Sequence, residues 1–136
     1  MFLNTPRHAS GYTTAVQLVQ TRLLVRRFSE TYDFYANVFG LTPQRGDRNG
    51  RYEKFSFPTP GAAIALQARE DVEAVIPLLE TDTQLVCIKV DDLEVAAKDL
   101  ASRGASMLAP PAVRYGALRT AYLRDPAGTL LELQQW

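Results

Sequence analysis

The chain has 136 residues, 46% of them hydrophobic, and 15 basic residues cancel 15 acidic ones. That length suits one domain with a real core, and zero net charge removes the field that would gather nucleic acid or an anionic membrane surface. The single cysteine, Cys87, excludes a disulfide framework. With no apolar stretch of signal-peptide or membrane-spanning length, a cytoplasmic protein is the expectation.

In chain order, residues 1–14 read as an arm and carry the sole histidine, His8. Residues 15–25 alternate as a strand, with Val19, Thr21, Leu23 and Val25 on one face and Gln20, Arg22 and Leu24 on the other. Ser29 offers an N-cap oxygen to a helix in which Phe34/Val38 and Tyr35/Phe39 stand four apart, and Gly40 stops it. After a short strand within 41–45, strands at 51–57 and 62–68 flank a turn at 58–61. The acidic stretch 69–83 reads as a connector with a helical turn within 72–79. Strand 84–90 follows, then a helix capped by Asp91 or Asp92, with Leu93, Ala96, Ala97 and Leu100 inward and Gly104 as its stop. A strand at 106–108 is broken by Pro110 and Pro111. Strands 117–123 and 129–135 close a hairpin around Asp125-Pro126-Ala127-Gly128.

These two series repeat each other. Val25, Phe28 and Tyr35 precede Val90, Leu93 and Leu100 by 65 positions (90 − 25 = 65), and Phe55, Gly61, Ala65 and Leu66 precede Tyr122, Gly128, Glu132 and Leu133 by 67 (132 − 65 = 67). The period is too long, and the copies too few, for a solenoid. A duplicated supersecondary unit implies paired concave faces. Glu132 should lie on one of them, where the first copy has only Ala65.

Taken in order, Leu24-Val25-Arg26-Arg27-Phe28, Phe34-Tyr35, Val38-Phe39-Gly40-Leu41, Val90-Asp91-Asp92-Leu93, Tyr122-Leu123-Arg124-Asp125-Pro126-Ala127-Gly128 and Leu131-Glu132-Leu133 resemble the vicinal oxygen chelate superfamily. The resemblance implies an α+β fold of two βαβββ modules, 15–68 and 84–136, joined by the connector 69–83, with curled mixed sheets around a central cavity. Its members include glyoxalase I-like lyases, extradiol dioxygenases, epimerases, fosfomycin-modifying transferases and bleomycin-binding resistance proteins, so fold leaves function open. It further implies a homodimer, with the cavity built within one chain or across two.

In the metal-using members the ion is held at equivalent places on the first and last strands of each module. Carried over, those places fall on Gln20, Ala65, Leu85 and Glu132, and two of the four have no donor atom. No metal or other cofactor is therefore expected. Gln20 reads as a neutral hydrogen-bonding group in a wet pocket, with metal ligation as the alternative. Glu132 is the catalytic candidate, as a general base if its carboxylate stands without a partner. Otherwise a cation balances it, and Arg22, on the face of Gln20, is the obvious one.

Strand parity turns Ala63, Ala65, Gln67, Leu85, Cys87, Lys89, Leu130, Glu132 and Gln134 inward, and Tyr52, Phe55, Phe57, Tyr115, Tyr122 and Trp136 offer aromatic walls. The expected ligand-binding set is Gln20, Arg22, Leu24, Phe55, Ala65, Gln67, Leu85, Cys87, Tyr115, Tyr122, Glu132 and Trp136, an apolar pocket with a few polar groups. The basic clusters Arg22/Arg26/Arg27 and Arg45/Arg48/Arg51, the second with Asp47 and Glu53 among it, read as solvated faces rather than a phosphate site. No phosphate-cradling glycine loop or nucleophilic triad is present. The leading expectation, drawn from the resemblance, is a metal-independent binding protein of the glyoxalase/bleomycin-resistance type that holds a flat or aromatic small molecule in the cavity between the modules. Its alternatives are a lyase, isomerase or dioxygenase with a migrated metal or base set (Glu132, Gln20, Tyr115, Tyr122), and a ligand-free dimerisation module whose cavity is filled by Phe55, Leu85 and Trp136.

Overall fold

The computed structural model describes residues 16–136, so the 1–14 arm and His8 lie outside the described residues. Eight strands form one curled, open sheet in the order β2-β3-β4-β1-β5-β8-β7-β6. The first unit runs β1 (Val16–Val25), α1 (Phe28–Asp33), a π-helical turn (Phe34–Val38), β2 (Thr42–Pro43), β3 (Tyr52–Ser56) and β4 (Ala63–Ala68). A short helix α2 (Arg69–Glu73) leads to β5 (Gln84–Val90), α3 (Leu93–Ser102), β6 (Ser106–Arg114), β7 (Leu118–Arg124) and β8 (Leu130–Gln135).

The duplication is visible in the pairing. β1 runs parallel to β4 with Arg22 beside Ala65, and β5 runs parallel to β8 with Cys87 beside Glu132. β1 and β5 then join antiparallel, with Thr21 opposite Val86. Those two residues are themselves 65 apart (86 − 21 = 65), so a local pseudo-twofold passes between them. Both copies thereby put one concave face on the same side of the sheet, within a single chain.

The helices cover the opposite face. Phe28 and Tyr32 of α1 pack with Leu41, Phe55 and Leu66, while Leu93 and Ala96 of α3 pack with Val90, Ala121, Leu123 and Leu133. Asp92 caps α3 by accepting from the Val95 N–H at 3.1 Å, and Gly104 takes φ +100° at its end.

Three local expectations change. Ser29 lies inside α1, whose N-cap is Arg27, and its hydroxyl donates to the Arg48 carbonyl at 3.1 Å. The Phe39 N–H bonds five residues back to Phe34, so the helix widens and Phe34, Val38 and Phe39 end exposed. Pro110 and Pro111 do not end β6, because it is an edge strand with register shifts at Met107/Ala109 and Ala109/Ala112, where missing N–H donors cost no ladder bond.

Glu53, expected with the Arg45/Arg48/Arg51 cluster on a solvated face, is instead fully buried on the helix side, and its carboxylate accepts from the backbone N–H groups of Arg45, Gly46 and Asp47 at 2.7, 3.0 and 2.9 Å. These bonds hold the loop after β2 against the sheet. Glu53→Ala should therefore cost about 2–3 kcal/mol, the loss of charge-assisted bonds partly replaced by water. Urea unfolding measures it, and a loss below about 0.5 kcal/mol, the level of a plain surface substitution, would mean the loop holds itself.

Candidate active site

The concave face holds a cavity of about 580 Å³ at the seam between the two units. Gln20 and Arg22 enter it from β1, Tyr52 and Lys54 from β3, Gln67 from β4 and Gln134 from β8. Tyr115, in the turn between β6 and β7, and Trp136 at its edge add aromatic surface. Leu24, Leu85, Cys87, Tyr122 and Leu130 fill the rest of that face and pack with Val72 and Ile76 from the connector region.

Arg22 and Glu132 meet at its centre. They are 5% and 0% exposed, and Nη1 of Arg22 lies 3.2 Å from both carboxylate oxygens. The same nitrogen donates to Gln67 Oε1 at 3.0 Å. Glu132 also accepts from the Tyr122 hydroxyl at 2.5 Å and from Gln134 Nε2 at 2.6 Å. Because an ionised carboxylate only accepts, the single Tyr122 proton goes to Glu132, and the Tyr115 hydroxyl, 2.8 Å away, donates to Tyr122. A hydroxyl chain thus runs from the cavity wall to the buried carboxylate. Above it, Gln20 Nε2 donates to the Tyr52 hydroxyl at 3.0 Å, and the Arg22 guanidinium lies 5.6 Å from the Tyr52 ring centre.

The electrostatics follow from burial. Desolvation alone would lower the Arg22 pKa, but Glu132, reinforced by Cys87, Tyr52 and Tyr122, leaves it raised, so the guanidinium stays charged. Desolvation, with Glu132 nearby, pushes Tyr122 up, and desolvation raises Tyr115. Both phenols are neutral donors near pH 7. Desolvation also pushes the Cys87 thiol from 9.0 to about 12, against the opposing pull of Arg22.

Of the residues expected from sequence, Gln20, Arg22, Gln67, Tyr115 and Trp136 line the cavity, and Glu132 and Tyr122 lie directly beneath its lining. Leu24, Leu85 and Cys87 share the face but are closed into the core by the connector, whose packing parity could not foresee. Ala65 is fully buried next to Arg22 and adds no lining surface. Phe55 is on the opposite face with Tyr32 and Tyr35. Its equation with Tyr122 fails because Ser56 pairs with Ala63 whereas Arg124 pairs with Leu130, which makes the first hairpin loop one residue longer. Lys54, opposite Ala65, is the true counterpart of Tyr122, opposite Glu132.

The cavity is not filled by Phe55, Leu85 and Trp136. Trp136 is 67% exposed, donates its indole N–H to Gln134 at 3.0 Å and has the Lys89 ammonium 3.8 Å from its ring centre. Of the basic clusters, Arg26, Arg27, Arg48 and Arg51 form surface ion pairs with Glu80, Glu30, Asp33 and Asp71. Arg22 alone turns fully inward. Lys54 and Arg45 also reach the cavity, and β3 parity from Tyr52 was the signal that could have found Lys54.

Tested for a divalent ion, these residues fit poorly. Ala65 and Leu85 have no donor, both oxygens of Glu132 are already engaged, and a permanent cation stands where an ion would need to approach. No group of three or more His, Cys, Asp or Glu side chains comes together among the described residues. The partner-free carboxylate that a general-base role required is not what Glu132 provides.

Breaking the pair should strand a buried charge. Glu132→Ala is expected to cost about 3–5 kcal/mol in urea unfolding, and Arg22→Met combined with Glu132→Leu far less than the sum of the single changes; additive losses would contradict the pairing. Cys87 gives a pH signature. A thiol raised from 9.0 to about 12 on folding contributes stability that is complete below pH 9 and lost as pH climbs toward 12. Cys87→Ala should flatten the alkaline decline over that window, and an unchanged decline would remove the thiol from the account.

The sequence pattern of the Glyoxalase/Bleomycin resistance protein/Dioxygenase superfamily matches residues 17–133. No curated protein sequence matches the chain. Among solved structures, a Legionella pneumophila protein titled NAD-dependent benzaldehyde dehydrogenase is 17% identical with a TM-score of 0.69, over 85% of this chain and 96% of that one. A superfamily member from Vibrio splendidus 12B01 is 14% identical with a TM-score of 0.63, over 90% and 98%. Methylmalonyl-CoA epimerase from Mycobacterium tuberculosis is 21% identical with a TM-score of 0.62, over 87% and 86%. At these identities the likeness is one of fold. The β1–β5 seam, the duplicated units and the match across 17–133 together establish that the chain belongs to the glyoxalase/bleomycin resistance protein/dioxygenase superfamily.

Proposed function

We infer that this protein binds a flat small molecule in the seam cavity and does so without a metal ion. The observation that carries the reading is the engagement of Glu132 by Arg22, Tyr122 and Gln134. An ion seeking that carboxylate would have to displace a buried guanidinium and find its remaining ligands on Ala65 and Leu85, which offer none. Tyr52, Tyr115 and Trp136 supply planar surfaces, and Gln20, Gln67 and Gln134 supply orienting amides. A homodimer is part of the same proposal. A cytoplasmic location belongs to the same proposal and suits the free Cys87 thiol. No helix among the described residues is long and apolar enough to cross a membrane.

One observation favours acid–base chemistry as a second reading. Tyr115 holds φ +51°, a left-handed conformation that costs a non-glycine residue roughly 1–2 kcal/mol, and its hydroxyl opens the chain through Tyr122 to Glu132. Such a chain could exchange a proton with a bound lyase or isomerase substrate. Turnover abolished by Tyr115→Phe while binding persists would select this reading.

Elemental analysis of purified protein should find no stoichiometric Ni, Zn, Fe or Mn. Titration with planar aromatic compounds should change Trp136 fluorescence saturably and equally with and without a chelator. A stoichiometric ion that disappears in Glu132→Gln would overturn the binding reading.

A further inference from the structure

The three hydrogen bonds of the Arg22 guanidinium all leave from Nη1. Its Nε is buried and has no partner, although the residue is 95% buried and lines the cavity. An unmade bond on a buried charged donor is costly to leave. The edge of the guanidinium turned from Glu132 is also the fork that matches a carboxylate in bidentate geometry.

Charge around the cavity points the same way. Arg22, Arg45, Arg51 and Lys54 line it against Asp71 alone. Arg51 is held by Asp71 at 2.9 Å, whereas no ion pair joins Arg45 or Lys54 to a carboxylate among the described residues. The lining therefore attracts anions. Glu132, immediately behind Arg22, limits how much negative charge the centre accepts, which favours a single charge over a dianion.

Resting on the binding role inferred above, we propose that the ligand is a planar aromatic monocarboxylate. Its acid group meets the Arg22 guanidinium at the buried Nε, which neither Glu132 nor Gln67 engages, and its ring lies among Tyr52, Tyr115 and Trp136. Lys54 and Arg45 draw the anion in from the rim. Seating the acid requires Tyr52, which stands over the guanidinium, to give way.

Binding of naphthoate, naphthamide, naphthylmethylammonium and naphthyl phosphate, followed by Trp136 fluorescence and calorimetry, tests this. Naphthoate should bind roughly ten- to a hundredfold tighter than the amide, as expected for charge-assisted bonds, and tighter than the phosphate. Lys54→Gln should weaken naphthoate severalfold and naphthamide by clearly less. Arg22→Gln combined with Glu132→Gln removes the pair without stranding a charge and should erase the preference for the acid. If the amide, ammonium or phosphate binds as tightly as naphthoate, or if the preference survives the double variant, the carboxylate assignment is overturned while aromatic binding stands. If none of the four binds, the aromatic binding role falls with it.

Discussion

The contact between Arg22 and Glu132 joins what duplication brought together. One side chain comes from the first copy and the other from the second, and the β1–β5 seam sets them face to face without solvent. Such a pair recovers its desolvation cost only when its other hydrogen-bonding capacity is filled. Gln67, Gln134 and Tyr122 fill it for Nη1 and for both carboxylate oxygens. The Arg22 Nε is left over, and it is the group on the seam whose chemistry is unfinished.

The pseudo-twofold at Thr21 and Val86 makes this divergence concrete. Arg22 corresponds to Cys87, Ala65 to Glu132, Lys54 to Tyr122 and Gln67 to Gln134. Gln67 and Gln134 keep an amide in both copies, whereas Gln20 corresponds to Leu85 and the charged positions to small or neutral ones. One half of the seam is thus rich in cations and carries Tyr52, and the other supplies the anion with Tyr115 and Tyr122. On the proposed reading a guanidinium at the centre does electrostatically what an ion would otherwise do, since it offers fixed positive charge to a ligand oxygen. Unlike an ion, it offers no open coordination position and generates no bound hydroxide.

Much of the fold was legible because repetition is a strong signal. Two strands, two glycine stops and the Asp125-Pro126-Ala127-Gly128 turn fix where each copy begins and ends, and parity from Gln20, joined to the ligand places that the family resemblance implies, offers the Arg22–Glu132 partnership as the alternative to a free base. The cavity lining was less legible. Parity says which face a side chain takes, but not whether another element covers it, so Leu24, Leu85 and Cys87 were expected in a pocket that Val72 and Ile76 close. A match by residue type hid the one-residue difference in hairpin length that puts Phe55 behind the sheet and Lys54 inside the cup. Glu53 reads from sequence as one charge of a solvated face because its partners are backbone N–H groups, which leave no trace in side-chain chemistry.

The account stands on Arg22, rather than an ion, being the partner of Glu132. Crystals grown with manganese or zinc and measured at the metal absorption edge would test this most directly. The account predicts no anomalous peak in the cavity and a guanidinium still against both carboxylate oxygens. A peak at roughly 2.0–2.2 Å from Glu132, with Arg22 turned away, would contradict it.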